Sequence, residues 1–173
     1  MEGLETRENT LVVVVLGKRG VALPVGTRIP ANARVADLIP FDELLPHSAV
    51  FVTNGGCAAS QHGIRNGKPL VCAGAGEAKP ETSAKTEWCG IGVNLRTGTP
   101  TPEAIRGAVD KIVSNPKYKM RAKNLEAEMA MFDPTSFSSQ TLKSSLRGSI
   151  SLDICMGKKE IENQKRDFIE QRE

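Results

Sequence analysis

The stretch Phe51-Val-Thr-Asn-Gly-Gly-Cys-Ala-Ala-Ser60 decides how the chain is read, because it admits two folds. Ala49-Val-Phe-Val-Thr53 is an apolar, β-branched run that reads as a strand and ends in Asn54-Gly55-Gly56. Asn-Gly behind such a strand is the best short signal for a β-hairpin. A hairpin needs a second strand, however, and Cys57-Ala-Ala-Ser-Gln-His62 is small and polar, a fair helix opening and a poor strand. Strand, glycine turn, helix is therefore the expected order. In a parallel sheet that turn lies at the carboxyl ends of the strands, where ligands bind.

Working outward, the same alternation continues. Leu11-Val-Val-Val-Val-Leu16, closed by Gly17, is apolar on both faces and suits a strand buried in a parallel sheet. Val35 to Ile39 repeats the signal before Pro40, Leu70 to Ala73 gives a fourth strand, and Gly92 to Leu95 a fifth. Helices are expected at Phe41 to His47, opened by Asp42 and Glu43, and at Cys57 to Asn66 with Gly67 as C-cap. Another spans Pro80 to Cys89, stopped by Gly90, with Trp88 packing it against the sheet. Thr101-Pro-Glu opens the clearest helix: Thr101 caps it, Pro102 takes its first position, and Ile105, Ala108, Val109, Ile112 and Val113 form one apolar stripe. A further helix after Pro116 aligns Tyr118, Ala122, Leu125, Met129 and Phe132. Strand and helix alternating throughout predict an α/β fold, a doubly wound parallel sheet.

Composition narrows the function. With 173 residues there is room for one ordinary domain and not for two. An aromatic share of 4% requires a core of aliphatic residues and alanine. The net charge of +3 comes from Lys and Arg spread along the chain, so no nucleic acid partner is expected. Cys57, Cys72, Cys89 and Cys155 lack the C-x-x-C spacing, and only His47 and His62 could join them, so no metal site is expected. They read as buried, reduced thiols of a cytoplasmic protein. The start of the chain has no signal-peptide character, and its apolar run is too short for a transmembrane segment. Residues 10–132 are expected to form the domain. From 133 to 173 the chain turns polar and then charged, and is expected to be a weakly ordered tail.

The glycine turn favours an anion. Gly55 and Gly56 let the backbone come close, the N–H groups of the first helical turn, around Ala58, point outward, and Ser60 can add a hydroxyl. A second glycine loop, Ala73-Gly-Ala-Gly-Glu77, ends the next strand and should lie beside the first.

At this point the residues are similar to a known family. Phe51 to Gly56, Gln61-His62, Gly67-Lys-Pro-Leu-Val71, Ala73-Gly74, Glu77-Ala-Lys-Pro-Glu81 and Glu87-Trp-Cys-Gly-Ile-Gly-Val-Asn-Leu95 resemble the C-terminal donor-binding region of UDP-glycosyltransferases, in the macrolide branch related to the enzymes of erythromycin biosynthesis. Leu11 to Gly17 and Asn32 to Pro46 fit the same region. The resemblance implies the Rossmann-like C-terminal half of a GT-B glycosyltransferase, incomplete at its N-terminal edge and lacking the acceptor domain.

It also implies roles. The segment at Leu38, Ile39 and Phe41 packs against the nucleotide base. Asn54, Gly55 and Gly56, with the helix start behind them, hold the diphosphate. The acid–amide pair that holds sugar hydroxyls falls on Ala78 and Lys79, with Glu77 one residue early. The family's usual His is Asn54 here, and its phosphate-contacting Ser or Thr falls on Ala59, beside Ser60. The catalytic base belongs to the N-terminal domain, so no catalytic residue is expected in this chain, and His62 is given a structural or donor-facing role. The implied ligand is a nucleotide-sugar such as UDP-glucose, with no separate cofactor, and the implied partner is an acceptor domain or partner chain. Alone, the chain is expected to show little or no transfer. Two other readings stay open: a non-catalytic nucleotide-sugar-binding or regulatory module, and an unrelated doubly wound domain.

Overall fold

In the computed structural model, which describes residues 1–131, five parallel strands form two sheets. β1 (Val12–Val15) pairs with β2 (Ala33–Ala36), with Val12 opposite Ala33. β3 (Phe51–Thr53), β4 (Leu70–Cys72) and β5 (Gly92–Asn94) lie side by side in that order. Phe51 stands opposite Leu70, and Leu70 opposite Gly92. No hairpin joins β3 to β4, because α2 (Cys57–Arg65) runs between them. The other helices are α1 (Phe41–Leu44), extended by a 3₁₀ turn at Leu45–His47, then α3 (Lys79–Trp88), α4 (Pro102–Ser114) and α5 (Pro116–Ala130).

The core is built on β4, whose three residues are all buried. Side chains alternate across a strand, so Leu70 and Cys72 share one face and Val71 takes the other. Leu70 and Cys72 pack with Cys89, Ile91 and Ala122. Val71 meets Ala108, Val109 and Ile112 of α4, with Ile105 and Tyr118 at the margin. Helices thus cover both faces of the sheet, as a doubly wound fold requires. Of the expected α4 stripe, Val113 is the exception and is exposed. It follows Ile112 by one residue, a rotation of about 100° that carries it off the buried face.

The helix ends follow local chemistry. Gly67, at φ +60°, donates to the Ile64 carbonyl at 2.9 Å while Lys68 donates to Gly63 at 2.9 Å, the paired bonds of a Schellman ending. Gly90, at φ +72°, repeats the arrangement with Glu87 and Ile91 with Thr86. Thr101 Oγ1 accepts from the Ala104 N–H at 3.2 Å, the expected N-cap.

Several expectations are corrected. Strand and helix do not alternate between β1 and β2, where residues 16–32 form only turns and irregular chain. Gly17, Gly20 and Gly26 all adopt positive φ there, and Pro24 and Pro30 interrupt any helix. The second strand lies at 33–36 instead of 35–39, because the Asp37 carboxylate captures the Leu38 N–H at 2.7 Å and ends the ladder. Trp88 is 60% exposed, on the face of α3 turned from the sheet. Cys57 is exposed, in the first turn of α2, while Cys72 and Cys89 are buried as expected. Leu4, ahead of the expected domain start, packs against the Val71 cluster, and its neighbour Gly3 lies so close to the Pro102 carbonyl that a side chain there would collide. Phe132, Cys155 and the expected tail at 133–173 lie outside the described residues.

Candidate donor-binding site

The glycine turn sits at the carboxyl end of β3, as the sequence predicts. Gly55 adopts φ +74°, and a Cβ placed on it would fall 2.2 Å from Ser83 Oγ and 3.5 Å from Cys72 Cβ. β4 and α3 therefore form a floor under the turn that admits only glycine. The Ser83 hydroxyl is buried without a hydrogen-bond partner of good geometry. It faces the Cys72 thiol, which burial pushes above its ordinary pKa against the opposing effect of the Thr86 and Ser83 hydroxyls.

The two glycine amides are already engaged locally. Asn54 Oδ1 accepts from the Gly56 N–H at 3.1 Å, and Thr53 Oγ1 accepts from the Gly55 N–H at 3.4 Å. The next donors, the N–H groups of Cys57, Ala58 and Ala59, open α2 and have no partner inside the helix. No side chain caps them. An anion arriving at this end meets these amides and the positive end of the helix dipole. Ser60 does not join them. It is 4% exposed, its hydroxyl is shut off from solvent, and it shares a helix face with Gly63, which lies against the Leu70 side chain. The expected phosphate-facing hydroxyl is thus turned toward the sheet.

The second glycine loop lies beside the first. A Cβ on Gly74 would fall 2.0 Å from the Asn54 carbonyl oxygen, so the two loops touch. Beyond it Glu77 adopts φ +56°, and its carboxylate accepts from Lys79 Nζ at 2.8 Å, which holds the Glu77 carboxyl below its usual range. Glu77 and Lys79 are therefore brought together as an exposed ion pair, of little weight for stability. Ala78, the family's acid position, forms the cap of α3 without any side-chain bond.

On the other side of the turn the structure gathers residues that sequence reasoning kept apart. The Phe41 ring lies 5.3 Å from Phe51 and meets the His62 ring edge-on at 5.4 Å. His62 Nδ1 is 3.2 Å from Asp42 Oδ1, and Asn66 Nδ2 donates to the same oxygen at 3.1 Å. These donors, Asn66 foremost, lower the Asp42 carboxyl pKa. Ile39 and Phe41 are half-buried and Leu38 is exposed, so the three form an apolar shelf whose ring neighbour is His62. Asp37, also unforeseen, accepts from the Gly20 N–H at 2.8 Å and from the Leu38 N–H, and so ties the loops after β1 and β2 together. Asp37 stands just past β2 among backbone donors, and Asp42 stands in the first turn of α1 beside polar side chains; those positions were the signal available. Among the described residues no group of three or more His, Cys, Asp or Glu is arranged to hold a metal ion, and no helix is long and apolar enough to cross a membrane.

Parallel strands with helices on both faces, and a glycine turn that feeds a helix at their carboxyl ends, define a doubly wound α/β unit of the GT-B type. The chain belongs to the family of erythromycin biosynthesis protein CIII-like C-terminal domains, whose model matches residues 9–140. It is 47% identical over 128 residues to UDP-glucosyltransferase 1 of Beauveria bassiana (strain ARSEF 2860), which covers 74% of this chain and 28% of that protein. With UDP-glucosyltransferase A1 of Starmerella bombicola the identity is 41% over 129 residues, covering 75% and 28%. The solved glycotransferase of kitacinnamycin superposes with a TM-score of 0.67 at 28% identity, over 75% of this chain and 33% of that one. The chain thus spans less than a third of the length of these two curated relatives.

Proposed function

We propose that this unit binds the nucleoside diphosphate of a UDP-sugar in the cytoplasm and acts as the donor-binding part of a UDP-glycosyltransferase. The enzyme would move a hexose to the hydroxyl of a small or lipophilic acceptor. The observation that carries the reading is the glycine turn at Asn54–Gly56 leading into the uncapped, nine-residue α2. In the reaction the acceptor oxygen bonds to the anomeric carbon as the bond from that carbon to the diphosphate oxygen breaks. Negative charge then grows on the departing diphosphate, and the amides of Cys57, Ala58 and Ala59 stabilise it together with the α2 dipole. Leu38, Ile39 and Phe41 would carry the base, with His62 held at the shelf by Asp42. The base that takes the acceptor's proton and the acceptor pocket would come from an N-terminal domain or a partner chain.

Calorimetric titration with UDP and UDP-glucose tests the reading. Trp88 is a poor optical reporter, since it is exposed and ends α3, about 14 Å of helix away from Lys79. Saturable UDP binding is the expected result, and transfer should follow once the remainder of the Beauveria bassiana relative is supplied as a separate chain. Absence of UDP binding would overturn the proposal. Binding that no added domain converts to turnover would favour a non-catalytic binding or regulatory module, the reading favoured by the Ala78 position and the Glu77–Lys79 pair.

A further inference from the structure

The link between β1 and β2, residues 16–32, carries three cations, Lys18, Arg19 and Arg28, and no acid. It also exposes Val21, Val25 and Ile29, with Val25 wholly in solvent. Apolar exposure concentrated in one short segment marks an interaction site. Two glycine turns shape the segment. The Val21 N–H donates to the Lys18 carbonyl at 3.4 Å with Gly20 at φ +75°, and the Thr27 N–H donates to the Pro24 carbonyl at 3.1 Å with Gly26 at φ +85°. A glycine of positive φ in third place makes each a type II turn, with Arg19 at the corner of the first and Val25 at the corner of the second. A Cβ on Gly17, Gly20 or Gly26 would meet nothing within 4 Å, so both turns stand clear of the rest of the unit.

The charges of the segment face outward. Arg28 pairs with Glu5 and is the more exposed of the two, at 73% against 28%. Lys18 and Arg19 have no carboxylate partner among the described residues. Asp37 accepts from the Gly20 N–H at 2.8 Å, which ties the first turn to the end of β2. A protein partner is the less suited occupant. Interface centres are built on Trp, Tyr and Arg, with Val under-represented, and this segment has no aromatic residue. Aliphatic side chains on protruding turns, flanked by cations and free of acids, match the headgroup and upper acyl region of an anionic bilayer.

We propose that residues 18–29 dock the unit on an anionic lipid surface, with Val21, Val25 and Ile29 in the acyl boundary and Lys18, Arg19 and Arg28 among the headgroups. Leu38 follows Asp37 directly, so docking brings the apolar shelf of Leu38, Ile39 and Phe41 close to headgroup level. A lipophilic acceptor would then be met where it dissolves, while the donor arrives from water.

Sedimentation of the whole chain with large vesicles tests this without nucleotide, so the result is independent of the donor-site reading. Binding is expected to vesicles of equal parts phosphatidylcholine and phosphatidylserine, and not to phosphatidylcholine alone. A cation beside an anionic surface is worth about fivefold in affinity, so Lys18→Glu with Arg19→Glu should weaken binding by at least about tenfold. Val25→Ser, which removes a buried aliphatic group, should weaken it about tenfold. Lys117→Glu with Lys119→Glu, the same change of charge on α5, should leave most of the binding in place. All five residues are exposed, and circular dichroism checks that each variant keeps its fold. No binding to the mixed vesicles overturns the proposal. So does an equal loss from the α5 pair, which marks attraction to net charge alone, or binding that Val25→Ser leaves unchanged. If vesicles are not bound and Val25→Ser instead abolishes association with the separately supplied remainder of the Beauveria bassiana relative, the surface belongs to a protein partner.

Discussion

The two sheets of this unit share an apolar composition and differ in what surrounds them. β4 has a strand on each side and helices on both faces, and all three of its residues are buried. β1 is four valines in a row, the most strand-like run in the chain, yet every one of them is only half-buried. β3 lies between these extremes, with Val52 41% exposed while Phe51 packs on the core. A run of β-branched residues therefore marks where a strand forms, and neighbouring elements decide how far it is buried. The thermodynamic weight of the unit sits with β4, α4 and α5. The loops at the carboxyl ends of β3 to β5, where the candidate site lies, are anchored to that well-packed half.

The comparison can be broken most directly by truncation on each side of it. Leu70→Ala should cost about 2–5 kcal/mol, the usual range for a fully buried leucine. Val14→Ala, on half-exposed β1, should cost under about 1 kcal/mol. Chemical denaturation of both variants measures the contrast, and equal losses would show that β1 is as well supported as β4. Gly55→Ala should come next. Positive φ in a non-glycine residue costs about 1–3 kcal/mol, and the new Cβ collides with Ser83 Oγ as well. UDP affinity should fall at least tenfold, and adding Ser83→Ala should recover the steric part of the stability loss while the backbone part persists. A smaller effect is expected from Thr101→Ala, which removes the N-cap of α4 and should lower the unfolding free energy by about 1 kcal/mol.

The smallest effect concerns pH and sharpens the comparison on the β1–β2 side. The folded-state pKa of Asp37 is lowered by the Gly20 and Leu38 N–H groups, and that of Asp42 by Asn66 and His62. A lowered carboxylate pKa contributes stability above the unfolded value, near 4, and that contribution is lost as pH falls through the folded value. Both groups are exposed, so the change should be slight. Asp37→Asn should flatten part of the acid limb of a stability–pH curve below pH 4 and leave pH 6–8 untouched. An unchanged acid limb would show that Asp37 does not hold the β1 and β2 loops together.

What could be read in the sequence was local. Gly67, Gly90 and Thr101 end or open their helices as expected, because a cap depends on a few adjacent backbone groups. The order strand, glycine turn, helix at residues 51–65 was legible for the same reason. Trp88 was misplaced because its burial depends on which face of α3 meets the sheet, and a helix of such low apolar content leaves that undecided. Ser60 was expected to face the phosphate, yet Gly63 one turn later has no side chain and brings that face of α2 down onto Leu70. The link between β1 and β2 lacked any helical pattern, and alternation elsewhere in the chain does not bear on it. The Gly20 partner of Asp37 and the His62 and Asn66 partners of Asp42 come from segments about 20 residues away and were beyond any local reading.

Among the described residues, every strand of the two sheets apart from β4 is an edge strand. Edges carry unpaired backbone donors and acceptors along one side and accept any extended segment that meets them. Leu11 to Leu16 contains no charge and no proline, and Leu11 is 64% exposed at its start, so this run has the composition of an aggregation-prone window. The colloidal behaviour of the isolated chain should follow from these strands more than from its modest net charge of +3. Self-association through these edges is expected to set the concentration the chain tolerates, and a single Lys in place of Leu11 is the change best suited to raise that limit.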